Sequence, residues 1–298
     1  MKNILILCLY LCVYLPSYSQ KNDTMWTIGG DLIFNLQNVG LHNWSSGGET
    51  SISVSGNFLG YMIFDNGKNK WNNEINTTYG LIYQDISSYQ LRKIDDQLII
   101  NTQYGWYFDK KWLLIVGSRF QTQYSNGYNY YIYDNSIEQR ELISAFLSPG
   151  YITPMIGIEY TIKNTLNVTV SPLSGRFVII NNKYISTLGN YDVPIGKKSL
   201  VDFGVNYNIM FKKTLLKNIK VETTFNLFIP YNEPSQMKVN WESNIIMNIN
   251  KWLKSSISTN LIYDDDVMIN KKDGSIGPGI QFKYVFSLGF NIDIGEDR

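Results

Sequence analysis

Along most of the chain, apolar and polar residues alternate one by one instead of recurring at the three-and-four spacing of a helix. The stretch Asn218–Tyr231 shows this most clearly. Ile219, Val221, Thr223, Phe225, Leu227, Ile229 and Tyr231 fall on one face, while Lys220, Glu222, Thr224, Asn226 and Phe228 fall on the other. The same rhythm sets Trp112, Leu114, Val116, Phe120 and Tyr124 against Arg119, Gln121 and Gln123. Near the end, Phe282, Tyr284, Phe286, Leu288 and Phe290 oppose Gln281, Lys283, Ser287 and Asn291. A period of two places alternate side chains on opposite faces of a sheet, so each strand meets an apolar medium on one side and a polar one on the other.

Read this way, the chain predicts about twelve strands. Their expected spans are 25–37, 48–64, 70–85, 94–108, 112–124, 148–161, 165–173, 199–212, 218–231, 236–250, 253–264 and 279–293. Soluble strands usually hold about 5 to 6 residues, whereas a tilted membrane-crossing strand needs about 9 to 11. Most of these spans suit the second case. The connections alternate in length. Asp65–Asn69, Asp109–Lys111, Ile162–Asn164, Lys213–Lys217 and Lys251–Trp252 are tight. Asn38–Gly47, Ile86–Lys93, Ser125–Leu147, Ser174–Lys198 and Asp265–Pro278 are longer, with Asn232–Ser235 a short exception. Short periplasmic turns and long outer loops are the habit of outer-membrane barrels. In hydrocarbon an unpaired backbone group costs several kcal/mol, so the first strand must meet the last. The expected fold is therefore all-β: an up-and-down antiparallel transmembrane β-barrel.

Composition agrees with that picture and adds little to it. Charged residues are 17% and aromatics 14% of 298 residues, with 22 Tyr. The beginning of the chain is more telling. Lys2, the apolar run Ile4–Leu15 and the small residues around Pro16–Gln20 predict an export signal, residues 1–19, leaving 20–298 as one barrel domain in the outer membrane. The apolar run falls short of the about 20 residues that span a bilayer as a helix. Cys8 and Cys12 both lie inside it, so the exported chain is expected to carry no thiol chemistry. Loss of Lys2 takes the formal charge from +1 to about zero, which gives no argument for a nucleic-acid partner.

Several motifs occur in order: Asn43-Trp44-Ser45-Ser46-Gly47-Gly48-Glu49, Trp71-Asn72-Asn73, Tyr79-Gly80-Leu81 and Arg92-Lys93-Ile94-Asp95-Asp96. Farther on come Ser171-Pro172-Leu173-Ser174-Gly175-Arg176, Val239-Asn240-Trp241-Glu242 and Leu261–Asp266. Together they resemble the DUF3078 family, outer-membrane β-barrel proteins of Bacteroidetes. The resemblance implies a barrel of unassigned role and supplies no catalytic residue.

Three side-chain groups invite chemistry. His42, beside Ser45 and Ser46, would offer the base and hydroxyl of a hydrolase acting on lipid or lipopolysaccharide, but a loop spacing does not place them in contact, and a structural or solvent-exposed histidine is the plainer reading. Asp264-Asp265-Asp266 offers hard oxygen ligands for Ca²⁺ without the glycine and ligand spacing of a calcium loop; a solvated acidic rim is the plainer reading. Tyr128, Tyr130, Tyr131 and Tyr133 offer stacking rings for an adhesion or glycan-binding surface. No catalytic, cofactor-binding or metal-ligating residue is assigned. The candidate lumen-facing charges are Glu74, Arg119, Glu159, Lys220, Glu222, Glu242, Lys254 and Lys283. About twelve strands leave a narrow interior that long side chains fill, unlike the 16–18 strands of an aqueous porin. A structural or transport-type barrel with a constricted polar lumen is the leading reading. Its expected partners are membrane lipid, lipopolysaccharide and the barrel-assembly machinery.

Overall fold

A computed structural model describes residues 25–39, 51–84, 88–133, 137–162, 165–189, 191–265, 268–270 and 275–295. Twelve strands form one closed antiparallel barrel. In chain order they are β1 Trp26–Val39, β2 Ser51–Asp65, β3 Asn69–Gln84, β4 Leu91–Asp109 and β5 Trp112–Thr122. A rim hairpin, β6 Gly127–Tyr133 and β7 Ile137–Ser144, intervenes before β8 Gly150–Ile162 and β9 Leu166–Ile179. The helix α1, Lys183–Leu188, precedes β10 Ser199–Leu216, β11 Ile219–Pro230, β12 Lys238–Asn248 and β13 Leu253–Asp264. A second small hairpin, β14 Met268–Asn270 with β15 Ile276–Pro278, leads into β16 Gln281–Gly295, which pairs with β1 and shuts the sheet.

The barrel is inside-out relative to a soluble protein. Its outward rows are large and apolar, and they stay exposed: Leu36 is 62%, Leu114 47%, Leu173 66% and Phe286 67% accessible. At the short-turn end, aromatic rings form a belt, with Trp26 against Phe64 and Trp71, Tyr104 against Trp106, and Trp112 against Tyr160. Such rings sit where hydrocarbon meets headgroups, with apolar bodies in one phase and polar edges in the other. Outward indole N–H groups, in this belt and higher on the wall, find partners on neighbouring strands. Trp71 donates to Thr102 Oγ1 at 3.1 Å and Trp241 donates to Thr223 Oγ1 at 2.9 Å. With no water at hand, an unmet donor there would be costly.

This outer surface carries a direct test. Val116 is an outward residue partway along β5, 40% exposed. On a lipid-facing wall, Val116→Arg should cost about 2–4 kcal/mol near the bilayer midplane. Urea unfolding in phospholipid vesicles reads that cost. An unchanged midpoint would mean that this wall faces water.

The structure lengthens some spans expected from the sequence. The strand expected to stop at residue 173 continues to Ile179. Pro172 has no N–H to give, and β9 accommodates it with a bulge. Against both neighbours, three steps of β9 match two of the partner: Val170 to Leu173 faces Ile158 to Ile156, and Ser171 to Ser174 faces Asn206 to Gly204. The expected loop 125–147 contains the β6–β7 hairpin. The expected loop 174–198 contains α1, capped by Asn182, whose Oδ1 accepts from the N–H groups of Tyr184 and Ile185 at 2.9 and 3.1 Å. β10 also runs on to Leu216.

The compact apolar core of the protein lies at the long-loop end, outside the alternating wall. Ala145, Val178, Ile180, Ile185 and Val193 pack together there, with Leu142, Tyr151, Tyr191 and Leu200 against them. They come from β7's end, β9, α1 and the segment that follows it. The segment 180–198 thus folds as a packed cap over one side of the mouth.

Candidate functional site: the lumen and its capped mouth

Side chains from opposite walls meet across the interior. Near mid-height, Arg119 on β5 lies within the electrostatic reach of Glu242 on β12 and Glu74 on β3. Its guanidinium donates to Asn101 Oδ1 and Gln121 Oε1, each at 3.4 Å. Asn101 in turn donates to Glu74, and Asn240 donates to Glu242 at 2.8 Å. Asn57 bonds Asn76 at 3.0 Å and Thr78 at 2.7 Å. A low-dielectric interior strengthens such polar networks when their members are met.

Toward the short turns two more ion clusters occur. Glu159, its side chain 5% exposed, accepts from Gln103 Nε2 at 2.6 Å and Thr169 Oγ1 at 3.4 Å, and lies 3.8 Å from Lys70 Nζ. Glu222 lies 2.9 Å from Lys220 and 3.5 Å from Lys212. Lys254 reaches Asp31 at 3.6 Å, and nearer the long loops Lys283 reaches Asp95 at 3.8 Å. Of the eight charges singled out from sequence, the structure brings together Arg119, Glu74 and Glu242, and separately Lys220 and Glu222. Glu159, Lys254 and Lys283 instead meet Lys70, Asp31 and Asp95.

The tightest knot lies higher, beneath the cap. Arg176 on β9 approaches Asp192 at 2.7 Å and Asp202 at 3.6 Å. Asp192 also lies 3.3 Å from Lys238 on β12, which pairs with Asp264 on β13. Asp192 belongs to the cap, and its side chain is 5% exposed. It and Tyr191 adopt positive φ angles of 66° and 62°, a backbone region that side chains with a Cβ seldom occupy. Packing holds them there. Tyr191 is half-buried and donates to the Ile143 carbonyl at 2.8 Å, and burial pushes its hydroxyl pKa up, keeping the proton for that bond. The cap thereby carries one carboxylate from the β9 wall to a lysine on β12.

A second set of bonds fixes the rim hairpin. The Asp96 carboxylate accepts from Tyr124 N, Ser125 N, Ser125 Oγ and Lys93 Nζ, all between 2.8 and 2.9 Å. Arg92 pairs with Glu138 and lies 4.3 Å over the Tyr130 ring. Arg140 sits over Tyr128 and Tyr89 at 4.2 and 4.7 Å. Tyr128 and Tyr130 are therefore engaged with arginines, whereas Tyr131 is exposed. The side chain of Tyr133, together with His42, Ser45, Ser46 and Asp266, lies outside the described residues. Asp264 is committed to Lys238, and Asp265 accepts from Tyr263 at 2.8 Å. Among the described residues no group of three or more His, Cys, Asp or Glu could hold a metal ion.

Arg176, Asp192, Lys238 and Asp96 were not among the charges expected to matter. The motifs held a signal for three: Arg176 ends the Ser171–Arg176 motif, Asp96 ends Arg92–Asp96, and Lys238 directly precedes Val239–Glu242. Asp192 had none, since nothing in its neighbours foretells that the cap turns inward.

Residues 36–128 match the profile of a family described as a protein of unknown function, DUF3078. That stretch is similar to DUF3078. It runs from the end of β1 to the start of β6, so it contains the Arg92–Asp96 anchor of the rim hairpin. The motifs at Ser171–Arg176, Val239–Glu242 and Leu261–Asp266 lie beyond it. A search of curated proteins gives no match. Among solved structures, the chain is similar to the translocator domain of the autotransporter NalP from Neisseria meningitidis. The two share 6% identity and a TM-score of 0.40, with 99% of this chain and 96% of that one covered. It is also similar to the NanC porin, at 8% identity, TM-score 0.41 and coverages of 91% and 100%. The COG4313 outer membrane channel from Pseudomonas putida F1 gives 9% identity, TM-score 0.39 and coverages of 93% and 98%.

Proposed function

We propose that this protein is an outer-membrane barrel whose axis is closed to bulk ion flow at rest, serving a structural or transport-type role. Export would remove residues 1–19, place the long loops outside and leave the tight turns in the periplasm. Phospholipid and lipopolysaccharide would surround the wall, and the barrel-assembly machinery would insert it. The observation that carries this reading is the knot Asp202–Arg176–Asp192–Lys238–Asp264, which ties the cap to β9, β10, β12 and β13 along one side of the mouth. Below it, Arg119 and Glu159 make further polar contacts that support the same reading.

Mixed charges that satisfy one another across a narrow barrel behave as a plug; a wide channel keeps its polar walls hydrated. Purified protein in planar bilayers should therefore give small conductance steps or none. Steady porin-sized current would overturn the closed axis. Amino-terminal sequencing of protein extracted from membranes should begin at Gln20, and a chain beginning at Met1 would remove the export signal from the account.

A further inference from the structure

The seam that closes the barrel is unlike the others. β1 pairs with β2 along its whole length, Trp26↔Phe64 to Val39↔Ser51. Among the described residues it pairs with β16 over seven positions, Gly29↔Gly295 to Asn35↔Gly289. Each of the other seams holds ten or more. Continuing the register would set Leu36–Val39 beside Leu288–Val285. The ladder stops short of them, and beyond Gly289 β16 pairs with β13 alone, as far as Ile262↔Gln281. In the long-loop half of this seam the two strands face each other without ladder pairing, a gap in the hydrogen bonding of the wall.

Chemistry differs on the two sides of this gap. Outside stand Leu36, Phe286 and Leu288, 62%, 67% and 51% exposed. Inside, level with it, stand Ser53 on β2, Ser256 and Ser258 on β13, and Ser287 and Val285 on β16. The bulky contents of the lumen, Arg119, Tyr151 and Arg176, hang from the far wall. The link from β16 across to that side is Lys283–Asp95, 60% and 42% exposed. An exposed pair of this kind contributes little and parts readily.

We infer that the gap between β1 and β16 is a lateral portal for an amphipathic lipid, with its polar head among the lumen serines and its tail left in the bilayer. The inference rests on the membrane-spanning reading above and adds a route that bypasses the plugged axis. Backbone groups left unpaired in hydrocarbon are costly, and a headgroup carrying donors and acceptors satisfies them where an alkyl chain does not. A strand from a second copy would also satisfy them, but it would leave the serine-lined recess without an occupant.

The test places a photoreactive benzoylphenylalanine at Val285, on the lumen side of β16, or at Phe286, on its outer side. Protein with Cys8 and Cys12 changed to Ser is reconstituted in phosphatidylethanolamine–phosphatidylglycerol vesicles and irradiated, and lipid adducts are identified by mass spectrometry. Heat-modifiable gel mobility confirms that each variant is folded. Both positions should yield lipid adducts. A Leu36→Cys/Leu288→Cys disulfide, closing the gap, should remove the Val285 adduct and spare the Phe286 one. A Leu32→Cys/Ile292→Cys disulfide within the paired stretch should spare both. Labelling at Phe286 without labelling at Val285 overturns the portal, as does a Val285 adduct that survives the closed gap. So does cross-linking of Val285 to a second copy instead of to lipid. The closed axis fails separately: porin-sized current with the lock-sensitive Val285 adduct intact would refute the plug and uphold the portal.

Discussion

Replacing Arg176 by Met should release the cap and cost about 3–5 kcal/mol, the usual consequence of removing one partner from a buried ion cluster. The knot contains two cations, Arg176 and Lys238, and three carboxylates, Asp192, Asp202 and Asp264. Without Arg176, one lysine faces all three. Asp192 suffers most, because its side chain is 5% exposed and cannot recover water without moving. Its positive-φ backbone gives the cap a further reason to leave once the charge contact is lost. Urea unfolding in vesicles should show a lower midpoint, and hydrogen exchange should rise across residues 183–198 while β11 and β12 stay protected. Adding Asp192→Asn to the Arg176→Met chain should recover part of the loss, because it removes the stranded charge. If the single and double variants unfold alike, Arg176 and Asp192 are not coupled, and the clamp has to be abandoned. The Met side chain keeps much of the stem that lies near the Tyr151 ring, which separates lost charge from lost packing.

The strand rhythm was legible in the sequence because hydrocarbon and a polar lumen impose opposite demands on alternate residues. Val221 and Phe225 had to differ from Glu222 and Asn226 for the wall to exist at all. Loop lengths carried the up-and-down order for a similar reason: a tight turn such as Asn66–Lys68 needs only Gly67 at φ 74° and the Asn66 side chain, which accepts from Lys68 N and Asn69 N at 3.0 and 2.7 Å. What failed to show was whatever depended on two distant segments meeting. Pro172 and Gly175 read locally as a strand end, and only the shared bulge against β8 and β10 turns them into strand interior. The cap's core joins Ala145, Val178, Ile185 and Val193 from separate stretches, none of which has a period of its own. Parity sorts charges onto one face of each strand, yet it is silent on partners. Glu159 meets Lys70, Gln103 and Thr169 through the closure of the barrel, and Lys238 meets Asp192 through the folding of a loop.

Gly157→Val should prevent the barrel from forming, and it tests that same bulge. A Cβ on Gly157 would lie 2.2 Å from the Val170 carbonyl oxygen and 2.6 Å from Ser171 Cα. Overpacking that side chains can absorb costs about 1–3 kcal/mol. Here the obstructing atoms belong mainly to the backbone of β9, where Pro172 has already displaced the ladder, so no rotamer change relieves them. Relief requires β8 and β9 to part, and parting strands in hydrocarbon leaves backbone groups unpaired on both. The expected result is protein that reaches the membrane fraction poorly and lacks the heat-modifiable band of a folded barrel. Gly157→Ala should show the same defect in milder form, since the offending atom is Cβ itself. Gly56→Ala is the control: its Cβ would meet only the Phe34 ring, at 3.6 Å, and should fold normally. A well-folded Gly157→Val would mean that β8 and β9 do not approach as closely as the bulge requires. The inward course of β9 beyond Pro172, which carries Arg176 to the mouth, would then need another cause.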